Sequence, residues 1–290
     1  MKKNNSNNLF SFYIIAAIPL ILFGLYKNGI DLYQKGLVSF LGALKPLILI
    51  VMAVIGAFIG IIIREFKKSK LNLKTFEKIK MPVVEALVYA MVLPLKTSPI
   101  VVLLVSLIIN IFYKKDKLNR IVLMVLITLL INQLMGLNTF QNARELSNLV
   151  NYDAMDKFLG FIKGGICSTN IFLVLCTLIF LSFNKMYKKD IAIFSILAFA
   201  ILVLVPCIIE ANYNNIFDVL FGYNVLFALV LIAPEMKSTS YSTKGQILSG
   251  VILGALTYFL VNPLGYFSVF VSILIINLLS GIFDRVFVIK

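Results

Sequence analysis

Residues 246–283 read QILSGVILGALTYFLVNPLGYFSVFVSILIINLLSGIF, 38 positions without one Asp, Glu, Lys or Arg. A helix needs about 20 apolar residues to cross the hydrocarbon core of a bilayer. Asn262, Pro263 and Gly265 in the middle are turn residues. The stretch therefore divides into two runs, 246–262 and 267–283, that read as consecutive membrane-crossing helices.

Outward from these runs the same pattern recurs. The chain is 60% hydrophobic with a mean hydropathy of +0.98, whereas soluble domains hold roughly 45 to 50% apolar residues. Further apolar runs, bounded by charged or turn residues, lie near 9–26, 47–63, 82–95, 99–113, 121–137, 169–183, 191–209 and 216–233. Such a chain is expected to be an all-α, polytopic integral membrane protein of about ten transmembrane helices. It is expected to form a single membrane domain over 1–290, with a first helical half at 1–137, an outer loop at 138–168 and a second helical half at 169–290. The opening residues, MKKNNSNNLFSFYIIAAIPLILFGLY, place basic residues before an apolar run as a signal peptide does. That run is long and no small-residue cleavage site follows it, so it is expected to be a retained first helix.

The charge distribution sets an orientation. With the N-terminus inside, inner loops hold 20 of the 27 Lys and Arg residues and outer loops or outer helix ends hold seven. By the positive-inside rule both termini are then cytoplasmic, and the protein is a multi-pass cell-membrane protein. The net charge of +14 does not point to nucleic acid, because the cations are scattered over separate inner loops and form no stripe. Attraction to anionic lipid of the bilayer is a secondary effect of the same cations. Three cysteines with no close spacing, and no histidine, argue against a metal site. Cys167, Cys176 and Cys207 read as small apolar residues.

Two helix ends resemble each other: LVYAMVLPLKTS at 87–98 and LFALVLIAPEMKSTS at 226–240. Each closes an apolar helix with a proline, a lysine and hydroxyl residues. The first ends outside and the second inside, as an inverted repeat of five plus five helices requires. Two helices sharing the same stop chemistry is the simpler alternative. Among charges near the membrane, Glu85 reads as a snorkelling interfacial carboxylate, the alternative being part of an ion or proton path. Lys45 beside Pro46 is likewise interfacial. Gly250, Gly254 and Gly281 read as helix-packing positions.

The sixty residues 226–285 resemble the end of the RnfD subunit of the Rnf-type electron transport complex, which shares a family with the NqrB subunit of the Na+-translocating NADH:quinone reductase. The family shows there a helix end with "DP", a Ser/Thr-rich turn, "KGQ", a glycine-bearing helix, "GGYPEG", an apolar helix with an Asn, and "DR". The counterparts are Ala233, Glu235, Ser238 to Thr243, Lys244, Gly245, Gln246, Gly250, Gly254, Gly265, Tyr266, Asn277, Asp284 and Arg285. A second motif, "GSIGETS" or "GCIGETS", follows an outer loop in the family, and its threonine carries FMN through a phosphoester bond. Laid without gaps on GGICSTN, it puts Gly164 on the first glycine, Ile166 on the isoleucine and Thr169 on the flavin-bearing threonine. Gly165, Cys167, Ser168 and Asn170 replace Ser or Cys, Gly, Glu and Ser. A third motif, "GGLGxNxFNPA", should fall near IFYKKDKLNRIVL, where Asn119 is retained and Lys114, Lys115 and Asp116 stand for glycines.

The residues of the GGICSTN stretch admit two uses. Ser168, Thr169 and Asn170 precede the apolar run that begins at Ile171; as N-cap residues each is worth about 1 kcal/mol, with Gly164 and Gly165 letting the chain turn into the membrane. Alternatively, the resemblance implies covalent FMN on Thr169, with Ser168 as the fallback hydroxyl. Gly164 and Gly165 would then allow close approach, and the helix start would favour a phosphate. The resemblance further implies a membrane subunit of a flavin-dependent electron transport complex, with Na+ or H+ movement as a coupled process and a second flavin such as riboflavin. Its partners would be an extracytoplasmic flavoprotein, other membrane subunits and a cytoplasmic electron donor, with an FMN transferase as modifying enzyme. A secondary transporter of a small solute, or a structural membrane subunit without a cofactor, are the other functions open to such a chain.

Overall fold

The computed structural model describes residues 2–66, 73–113, 118–137, 153–209, 216–235 and 238–288, and none of these lies in a strand. The main helical segments among them run in chain order as α1 (Lys2–Leu25), α2 (Lys45–Phe66), α3 (Leu73–Met91), α4 (Pro99–Phe112), α5 (Arg120–Leu134), α6 (Ile171–Ser182), α7 (Lys189–Ile209), α8 (Ile216–Ile232), α9 (Thr243–Leu264) and α10 (Ser268–Val288). Among the described residues four stretches are long and apolar enough to cross a bilayer: Leu9–Gln34, Lys45–Phe66, Lys189–Pro206 and Thr243–Val286. The last is the 246–283 stretch with its flanks, bent by a 3-10 turn at Gly265–Phe267. Gly265 takes φ +52°, a conformation that a side chain would strain. The protein is a multi-pass, all-helical membrane protein.

Several boundaries differ from the expected ones. Helix α3 begins at Leu73, not near 82, because the basic residues Lys74, Lys78 and Lys80 continue the helix ahead of its apolar part. Helix α8 is broken at residues 222–224, where Tyr223 and Asn224 both have positive φ. Most of the outer loop, residues 138–152, lies outside the described residues; its described remainder holds the short helix Ala154–Phe158.

The chain divides into two compact units. The first comprises Met1–Lys115, Leu123–Val150 and Gly164–Ser168, the second Asp116–Val122, Asn151–Lys163 and Thr169–Lys290. In the first unit α2 packs along α4 over a glycine pair. A Cβ on Gly56 would meet Ser106 Cβ at 3.0 Å, and one on Gly60 would meet Leu107 O at 2.7 Å. Without side chains the two backbones approach closely enough for Ser106 Oγ to donate to Ala53 O at 2.7 Å. In the second unit α7 and α9 pack the same way: a Cβ on Gly250 would meet Ile191 O at 2.9 Å, and one on Gly254 would meet Ala198 Cβ at 2.9 Å. Gly281, in contrast, has nothing within 4 Å where its Cβ would stand, so it is not a packing position within this chain. Inside the first unit α3 is tied to α5 by Tyr89 and Thr128, whose hydroxyls are 2.6 Å apart in the buried core. Glu85 is only 7% exposed, one turn from Tyr89, and is a buried carboxylate instead of a snorkelling one.

Candidate functional site

Helix α6 starts at Ile171 because Asn170 caps it. The Asn170 side chain accepts from Leu173 N at 2.9 Å and donates from Nδ2 to Leu159 O at 2.8 Å. Of the three polar residues offered by the sequence as caps, Asn170 does the capping. Ser168 and Thr169 are buried beside it, at 2% and 3% exposure.

Residues 164–168 belong to the first unit and run against the end of α3. Ile166 N donates to Leu93 O at 3.0 Å and Cys167 N to Met91 O at 2.9 Å. The α3 carbonyls are available because the helix stops at Met91, just before Pro94. Gly165 lies where a Cβ would collide with the Val92 carbonyl and approach Ser168 Oγ at 2.6 Å, so only glycine allows this approach. From α1 a π-helical turn, Tyr26–Ile30, carries Asn28, whose Nδ2 donates to Ile166 O at 2.7 Å. Burial pushes the Cys167 thiol up to about 12, against a smaller opposing pull from Lys27. The thiol is therefore protonated and inert at neutral pH.

A second polar cluster forms in the second unit, from residues that carry the C-terminal resemblance. Asp284 on α10 accepts from Ser240 Oγ and, at 2.9 Å, from Tyr241 N. Ser238 Oγ donates to Glu235 Oε2 at 2.9 Å, and Thr239 Oγ1 to Glu235 O at 2.6 Å. Gly245 leaves room for Ser240 Oγ, and Ser242 caps α9 by accepting from Gly245 N at 3.1 Å. Asn119 donates from Nδ2 to Ile232 O at 2.8 Å, and Val122 N donates to Asn119 Oδ1 at 3.2 Å. With its amide turned to satisfy both atoms, Asn277 donates to Ser238 O at 3.1 Å and accepts from Asn119 N at 3.2 Å. Lys188, which no sequence motif marks, reaches this turn from the start of α7. Its Nζ donates to Thr239 O at 2.9 Å and Thr239 Oγ1 at 2.7 Å and lies 4.7 Å from the Tyr241 ring centre. Partial burial lowers its pKa to about 8, although Asp284 and Glu235 pull the other way.

The part of the chain that builds this second cluster is the part that matches known proteins. The model of the NQR2, RnfD, RnfE family matches residues 118–290. The chain belongs to the NQR2, RnfD, RnfE family. It is also 25% identical over 144 residues to the NqrB subunit of the Na(+)-translocating NADH-quinone reductase of Chromohalobacter salexigens, a match covering 47% of this chain and 35% of that protein. The chain thus aligns with about a third of the length of this curated relative. Within the family match fall Asn119, Thr169, Asn277 and Asp284.

Set against the FMN that the family resemblance implies, the GGICSTN stretch fits in chemistry and not in access. Thr169 supplies a hydroxyl two residues before Ile171, the first residue of α6. That residue is 3% exposed, however, and the Leu173 amide of the first helical turn is already taken by Asn170. Gly164 and Gly165 do not open a cradle, since Gly165 is filled by the Val92 backbone. A bulky isoalloxazine on Thr169 is incompatible with this packing.

Proposed function

We propose that this chain serves as a membrane subunit of a flavin-dependent electron transport complex of the Rnf or Na+-translocating NADH:quinone reductase type. Family membership over residues 118–290 is the observation that carries this function. The chain would contribute about ten spans with both termini cytoplasmic, arranged as a five-plus-five inverted repeat. The recurrence of a glycine-paired contact in each unit, α2 with α4 and α7 with α9, supports that arrangement. Its partners would be an extracytoplasmic flavoprotein, other membrane subunits and a cytoplasmic donor, with electron flow coupled to Na+ or H+ movement.

Covalent FMN on Thr169, with Ser168 as second choice, belongs to the same proposal. The flavin would supply the redox chemistry, and the chain its position and the exclusion of water. A transferase reaches Thr169 only if residues 164–168 leave Met91 and Leu93, which breaks the two backbone hydrogen bonds made there. The burial of Thr169 favours a second function, that of a membrane subunit without this cofactor. One experiment separates them. The full chain is produced with its FMN transferase, denatured in SDS, and examined for in-gel flavin fluorescence and for a mass gain of one FMN moiety. Signal in the wild type that is lost in Thr169→Val establishes attachment there; loss in Ser168→Ala instead moves it to Ser168. No signal in either assay leaves the flavin-free subunit.

A further inference from the structure

Within the first unit, α1, α2 and α3 border an open groove of about 370 Å³. Phe10 of α1, Val54 and Phe58 of α2, and Ile79 and Val83 of α3 line it, and Lys80 is the one charged residue in its wall. The groove lies where polar sequence gives way to apolar: Phe10 is the second residue of the Leu9–Gln34 stretch, and Lys80 directly precedes the apolar part of α3. The connecting sequence 64–80 carries seven Lys and Arg against two Glu. An apolar slot beneath one cation, beside a basic segment, has the chemistry of an acyl chain below an anionic headgroup.

Size separates this occupant from a protein one. A helix with its side chains is about 10 to 12 Å across, so 370 Å³ would admit less than one turn of it. At a volume per methylene close to the ~30 Å³ that a water molecule occupies, the groove accepts roughly a dozen carbons of one chain. Hydrocarbon gains little by leaving other hydrocarbon, so an acyl chain alone would not be selected. The headgroup charge provides the selection. We infer that the α1–α2–α3 groove is a binding site for an anionic phospholipid of the leaflet facing segment 64–80, its acyl chain in the groove and its headgroup at Lys80.

The test is native mass spectrometry of the full chain in detergent, titrated with phosphatidylglycerol and phosphatidylcholine bearing the same acyl chains. Phosphatidylglycerol is expected to bind about fivefold more tightly, the effect of one lysine at an anionic surface. Lys80→Gln should bring the ratio near one, while Lys244→Gln, on α9, should leave it unchanged. Val54→Trp, which fills the groove, should weaken both lipids. Circular dichroism and gel filtration confirm that each variant is folded. Equal binding of the two lipids by the wild type, a preference that survives Lys80→Gln, or full binding by Val54→Trp overturns the site. So does a dimer that forms in place of lipid binding and is lost in Val54→Trp, which would assign the groove to a second copy of the chain.

Discussion

Lys188 shows how one side chain can set a pH dependence outside the spans. Its pKa is lowered to about 8 first by desolvation, while Asp284 and Glu235 oppose the shift. In the unfolded chain the same amine titrates near 10.5. Below pH 8 both states carry the proton and the native state bears a constant penalty for the half-buried charge. Between 8 and 10.5 the unfolded state retains a proton that the native state has released, so stability rises with pH across that window. Thermal unfolding in detergent at pH 7, 8, 9 and 10 is expected to show this rise in the wild type and a smaller one in Lys188→Met. Identical slopes in the two proteins would mean that Lys188 titrates normally. At the same scale, Asn170 and Thr169 divide the parts the sequence suggested: the neighbour of the expected attachment residue makes the cap, and the hydroxyl is packed away.

Helix pairs depend on the glycines that let their backbones meet. A Leu at position 254 would drive Cβ into Ala198 Cβ and Phe199 N, both 2.9 Å from where it would stand, and push α9 off α7. Gly254→Leu should cost about 1–3 kcal/mol, the usual penalty of overpacking. Gly281→Leu, where the space is open, should be nearly neutral. Equilibrium unfolding in mixed SDS micelles measures both, and equal losses would show that the contact does not hold the pair together. Elements were legible in the sequence where length and hydropathy alone define them, as in α2, α9 and α10. The start of α3 was not, because its first turns are basic and look like loop, nor was the break in α8, whose Gly222, Tyr223 and Asn224 sit inside an apolar run. At the candidate site the helix start before Ile171 could be read locally. Its burial could not, since it depends on Asn28, 138 residues before Ile166, and on backbone carbonyls of α3. Likewise the tie from Asn119 to Ile232 spans 113 residues and leaves no trace in either local pattern.

At the scale of the whole chain, an inverted five-plus-five arrangement makes a claim about sides of the membrane that internal packing does not. Under it the end of α3 and the turn after α8 are equivalent, yet they face opposite compartments. Lys96 and Tyr241 are exposed reporters of the two, Tyr241 at 72%. In a background with Cys167, Cys176 and Cys207 replaced by Ala, Lys96→Cys should react with a membrane-impermeant maleimide in intact cells, and Tyr241→Cys only after permeabilisation. Reaction of both from one side would rule out the inverted repeat, because an odd number of crossings must separate equivalent positions in opposed halves. The basic-residue asymmetry predicts which reporter is outside: 20 of the 27 Lys and Arg lie on the side assigned to Tyr241. Opposite labelling with the compartments exchanged would keep the repeat and reverse the orientation, so one pair of reporters tests the two claims separately.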